Sequence, residues 1–199
     1  MSSRAIGRSL GALFLLAFVA YGTGSALVSS GSDAVGALLM LVNSAVVVGI
    51  GVLAFPVLRP HSELTAHAYL VGRAVEAALL AVGVVFLLLP EPVAAGNHYS
   101  YQVAMMAVGA TGVLFCRVLF RARLVPRALA VWGVVGYAVF LLGAALEVLG
   151  HGVGVALSVP GGLFEIAFGV LLIAKGFTDG PLAERRAAGP RQGHHGSVV

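Results

Sequence analysis

Apolar residues fall along this chain in six long runs, separated by short polar breaks rich in proline and glycine. The runs cover residues 9–28, 35–58, 64–89, 99–120, 127–149 and 155–174, give or take a residue or two. At about 1.5 Å per helical residue, some 20 residues cross the roughly 30 Å hydrocarbon layer of a bilayer, so each run predicts a transmembrane helix. The breaks agree. Ser29 to Ala34 holds Gly31 and Asp33, and Arg59-Pro60-His61-Ser62-Glu63 is a polar turn. Pro90-Glu91-Pro92 opens the longest loop, where two prolines argue against helix as far as Asn97 and His98. Pro126 is placed to start the fifth helix, and Gly150 to Gly154 makes a tight turn. The first run follows the basic leader Met1 to Arg8 and lacks a sharp small-residue cleavage site, so it is expected to be retained. Residues 1–177 then form one transmembrane domain, and residues 178–199, polar and without periodicity, are expected to be a disordered cytoplasmic tail.

Composition narrows the class further. The 199 residues are 59% hydrophobic and 10% charged, with a mean hydropathy of +1.00, whereas soluble domains carry roughly 25% charge. An ordinary soluble fold is excluded. The pI of about 9.7 does not point to nucleic acid, because the basic residues lie at the ends of apolar runs instead of alternating with aromatics in a stripe. With six spans both termini share a side, and that side collects Arg4, Arg8, Arg59, Arg117, Arg121, Arg123, Arg127 and Lys175, with Arg185, Arg186 and Arg191 in the tail. The opposite turns carry Asp33, Glu91, His98 and His151 and no lysine or arginine, so the positive-inside rule makes both termini cytoplasmic. Tyr99 and Tyr101 then fall at the outer boundary, where interfacial aromatics are expected. Eleven arginines to one lysine, with abundant Ala, Gly and Val, read as a GC-rich bacterial genome and an inner-membrane location. The single cysteine, Cys116, is expected to be buried and inert.

The chemistry sits where charge enters the third run. Arg73 and Glu76 are three residues apart, on one helical face, and both fall near the membrane midplane. A charge at that depth costs from about 2.5 to more than 10 kcal/mol, so it faces a partner, a cavity or a site. Glu165 lies at a similar depth in the sixth run with no basic neighbour, and Arg73 is its most economical counter-ion. Spans three and six are therefore expected to touch. One cation shared by two carboxylates leaves a surplus negative charge that a proton or a bound cation would neutralise, as in a transport or ligand site. The alternative is a static clamp that only orders helix packing, as in an accessory subunit or sensor. Pro160, Gly161 and Gly162 just ahead of Glu165 are expected to loosen span six as a hinge, the alternative being a simple kink with a close helix contact. Asn43 and Tyr69 are candidate neighbours of the cluster.

An offset of 89 residues lays Gly72 to Ala77 over Gly161 to Ile166 and span one over span four, which would make a 3+3 inverted repeat of the kind seen in many transporters. Gly7 and Gly11 stand at GxxxG spacing, a weak signal in a glycine-rich chain. The outer set Asp33, Glu91, His98, Glu147 and His151 has no metal-ligand spacing and is expected to be solvated, so no metal or cofactor is expected. Walker A, HExxH and a GxSxG with a plausible triad are all missing, leaving intramembrane catalysis as a third reading only.

Two blocks carry a likeness. Tyr69-Leu70-Val71-Gly72-Arg73-Ala74-Val75-Glu76 and the stretch from Pro160 to Phe177, together with Pro126-Arg127, resemble an uncharacterised bacterial membrane family, domain of unknown function 4386. The resemblance implies an all-α, six-helix inner-membrane protein and carries over no substrate, cofactor or catalytic residue. The partners expected are the lipid bilayer, a small solute or ion, and a second copy of the chain in a homo-oligomer, with no nucleic acid.

Overall fold

The computed structural model describes residues 3–178, and those residues form six helices and no strand. They are α1 (Ser3–Ser29), α2 (Asp33–Leu58), α3 (Glu63–Leu87), α4 (Ala94–Ala122), α5 (Arg127–Val148) and α6 (Gly154–Lys175). Each is long and apolar enough to cross a membrane, which makes this an all-α bundle of the multi-pass membrane type. The tail expected to be disordered lies, but for Thr178, outside the described residues, as do Arg185, Arg186 and Arg191.

Local chemistry sets the ends. Ser62 caps α3, its hydroxyl accepting from the Thr65 N–H at 3.2 Å, and Asp33 places a carboxylate in the positive first turn of α2. Pro126 precedes α5, as expected. α4 begins at Ala94, not at residue 99. Proline disfavours helix for the residue before it and removes its own N–H, so the restriction ends at Pro92 and leaves Asn97 and His98 free to join the first turns. α1 likewise starts at Ser3 and takes Arg4 and Arg8 into the helix.

The helices form a ring. Each packs against its neighbours in chain order, and α6 returns to α1. The closing seam is glycine against glycine. A Cβ on Gly11 would lie 2.5 Å from the Gly169 carbonyl oxygen, and one on Gly7 would lie 3.0 Å from Gly176 Cα, so the GxxxG pair dismissed as weak is what lets the ring close. The same contact sets the start of α1 beside the end of α6, so both ends of the described chain share the face that carries Arg59, Arg121, Arg127 and Lys175. A two-fold axis in the membrane plane reverses the order in which helices are met around a ring. It cannot carry α1, α2 and α3 onto α4, α5 and α6 of a ring closed in chain order, so the packing gives the 89-residue offset no support.

Around the outside, Val19, Leu38, Val52, Val71, Val135 and Val170 are exposed, as suits contact with lipid tails. Inside, the two halves differ. Toward the arginine-rich face the centre is filled with rings: Tyr69 stacks on Phe115 at 4.5 Å, Phe115 meets Phe168 edge-on at 5.7 Å, and Phe168 stacks on Phe164 at 5.5 Å. Phe177 is buried beneath them, and the Thr178 N–H donates to the Leu124 carbonyl at 2.9 Å, drawing the end of the described chain across that face. The other half is partly hollow.

Candidate functional site

Where the filled half meets the hollow one lies Arg73, ten residues into α3 and so about 15 Å along the helix axis. It is 2% exposed. Its Nη1 donates to Glu76 Oε2 at 2.8 Å and its Nε to the Tyr69 hydroxyl at 3.0 Å, one helical turn away on either side. The Phe14 and Tyr69 rings lie 5.3 and 5.2 Å from the guanidinium carbon, within cation–π range. Across the ring, Nη2 reaches Glu165 Oε1 at 3.5 Å, and that same oxygen accepts from the Tyr137 hydroxyl at 2.6 Å. The second bond is the tight one. At 3.5 Å the guanidinium contact is an ion pair at the edge of hydrogen-bond range.

Arg73, Glu76 and Glu165 thus come together as expected, but α3 and α6 do not pack as neighbours. They stand on opposite sides of the ring, and only their side chains meet across the centre. Tyr69 belongs to the dry side of the cluster, fully buried beneath Arg73. Asn43 is 4% exposed and its Oδ1 has no hydrogen-bond partner among the described residues.

A cavity of about 210 Å³ opens on the cluster, lined by side chains from all six helices. Phe14, Phe18 and Tyr21 come from α1, Asn43 from α2, Glu76 from α3, Tyr101 and Met105 from α4, Tyr137 and Phe140 from α5, and Glu165 from α6. A second space of about 200 Å³ shares Tyr21, Tyr101, Met105, Phe140 and Ser158 with it and reaches Gly154 at the start of α6. Together they lead from the cluster toward the end of the bundle away from the arginines. Tyr101, expected at the membrane boundary, instead stacks on Tyr21 at 5.2 Å in this passage, while Tyr99 is exposed.

Pro160, Gly161 and Gly162 do not break α6, which runs unbroken from Gly154 to Lys175. Neighbouring helices hold the segment: Trp132 Nε1 donates to the Pro160 carbonyl at 3.1 Å, and a Cβ on Gly161 would lie 3.2 Å from the Gly136 carbonyl oxygen. The arrangement is a close contact of α5 with α6, the alternative that the sequence also offered. Gly162 faces the cavity.

Two bonded side chains were not placed from the sequence. Tyr137 is the only hydrogen-bonding side chain between Trp132 and Glu147, which is the signal that could have found it. Glu147, placed with the solvated outer set, has a side chain only 14% exposed, accepts from the Gly154 N–H at 2.6 Å and lies 3.3 Å from His98 Nε2. It ties the outer ends of α4, α5 and α6 together. Among the described residues no three His, Cys, Asp or Glu side chains converge as a metal site would need.

The family described as Domain of unknown function (DUF4386) matches residues 9–176. No curated protein and no solved structure matches the chain significantly.

Proposed function

The chain belongs to the family described as Domain of unknown function (DUF4386), and from that premise we propose that it is a bacterial inner-membrane protein that binds or transports a small solute or ion at the Arg73, Glu76 and Glu165 cluster. The observation that carries the reading is the hollow: a membrane bundle has no packing reason to leave about 210 Å³ open beside its only deep charges among the described residues.

The three charges divide the work. Arg73 and Glu76 are buried, mutually bonded and covered by rings, so they hold the bundle and set the field. Glu165 has 18% of its side chain exposed and lines the cavity, so it is the group that meets a ligand or exchanges a proton. With the arginine-rich face cytoplasmic, the passage opens outward and the ring-filled half is the closed gate.

A clamp without ligand is the second reading, favoured by the dry pairing of Arg73 with Glu76 and Tyr69. The test is flux. Full-length protein reconstituted in liposomes and given small cationic, neutral and anionic solutes is expected to move at least one of them in a pH-dependent way, and Glu165→Gln is expected to abolish that movement while the protein still melts cooperatively. No flux from the wild type, with a lower melting temperature for Glu165→Gln, would leave the clamp.

A further inference from the structure

We propose that the cavity takes a small organic cation, a primary amine with a compact apolar or aromatic body, whose ammonium group pairs with Glu165. This rests on the cavity being a ligand site and adds the class of ligand.

The reason an anion is disfavoured is that Arg73 is already engaged. Its Nε, Nη1 and Nη2 each donate to Tyr69, Glu76 or Glu165, and rings lie 5.3 and 5.2 Å from it, so an anion in the cavity would meet a cation whose charge two carboxylates already offset. A cation meets the opposite situation. One guanidinium faces two carboxylates, no other lysine or arginine lines the cavity, and Glu165 uses one oxygen for both of its bonds, leaving Oε2 without a partner among the described residues. Asn43, in the same wall, has an amide oxygen with no partner among the described residues. A carboxylate oxygen and an amide oxygen are acceptors suited to N–H donors.

The rest of the wall selects the kind of cation. A hard metal ion takes about six to eight oxygen ligands, and this wall is largely aromatic and aliphatic. Rings do suit an ammonium group and the hydrocarbon attached to it, by cation–π attraction and by burial. The stacked Tyr21 and Tyr101 stand in the passage from the outer end, where an arriving cation would pass first. At about 210 Å³ the space is below the roughly 300–1,000 Å³ of sites for drug-sized ligands, so the body must be compact.

The experiment is calorimetric titration of the full-length protein in lipid nanodiscs, against lipid-only nanodiscs, with phenethylamine, phenethyl alcohol and hydrocinnamate. These share a phenyl body and differ in charge. Saturable binding of the amine at least tenfold tighter than either other probe is expected. Glu165→Gln should weaken it at least tenfold, Asn43→Leu a few-fold, and Glu165→Asp, which keeps the charge, should keep the preference for the amine. If the alcohol or hydrocinnamate binds as tightly and still depends on Glu165, the cation class is overturned and the ligand site stands. If no probe binds saturably, or if Glu165→Asp loses the preference as fully as Glu165→Gln in proteins that still melt cooperatively, the amine proposal fails; with no binding at all, the ligand-site reading fails with it.

Discussion

The two halves of the bundle are built from the same kind of helix and differ in what fills the centre. On the arginine-rich side, Phe115, Phe164, Phe168 and Tyr69 are fully buried and in ring-to-ring contact, which closes the centre of the ring there. On the other side the wall residues Phe18, Tyr21, Tyr101 and Phe140 are only partly buried and face open space. Arg73 sits on the boundary, with Tyr69 on its filled side and both of its carboxylates in the cavity wall. The lesson is that one polar cluster is a core element on its filled side and borders a cavity on its hollow side, and substitutions should separate the two surroundings.

The largest effect is expected at the boundary. Arg73→Met strands two carboxylates near the midplane, and removing one partner from a buried pair typically costs about 3–5 kcal/mol, so thermal melting in detergent should fall steeply. Adding Glu76→Gln to that variant should restore part of the loss, because one stranded charge is then gone. Next comes the filled half. Phe168→Ala should cost about 3–5 kcal/mol as a buried ring leaves a void, whereas Phe18→Ala in the hollow half should cost less than about 1.5 kcal/mol because space already adjoins it. Equal losses at the two positions would erase the contrast. Smaller still is the seam. Gly11→Val puts a side chain where 2.5 Å separates a Cβ from the Gly169 oxygen, and such overpacking costs about 1–3 kcal/mol and should loosen α1 from α6. The smallest change in stability, within about 1 kcal/mol, is expected for Glu165→Gln, which keeps shape and the Tyr137 contact, yet it should weaken amine binding at least tenfold and abolish flux.

How far the sequence reached follows the same division. The six spans were legible because apolar run length is a direct physical requirement of the bilayer, and the pairing of Arg73 with Glu76 was legible because i, i+3 spacing on a helix is local geometry. The meeting of Arg73 with Glu165 could be inferred from cost alone, since an unpaired deep carboxylate has nowhere else to turn. What could not be read was anything set by ring closure. The stacking of Tyr21 on Tyr101 joins residues far apart in sequence, and the tight bond from Tyr137 depends on α5 standing beside α6. The unbroken run of α6 through Pro160 was not legible either, because proline's missing N–H says nothing of the neighbours, Trp132 and Gly136, that hold the helix around it. Gly7 and Gly11 were undervalued for the converse reason: their meaning lies in the glycines opposite them on α6.

The central claim, a cluster open toward one membrane face and sealed from the other, is tested most directly by labelling a cysteine placed beside it. Gly162 lines the cavity three residues before Glu165, with the Phe18 ring no nearer than 3.5 Å to an added Cβ, so Gly162→Cys in a Cys116→Ala background puts a thiol at the cluster. A membrane-impermeant methanethiosulfonate is predicted to react with it from the face away from the arginines and not from the arginine-rich face. Reaction from the arginine-rich face, or from neither face, would contradict the account.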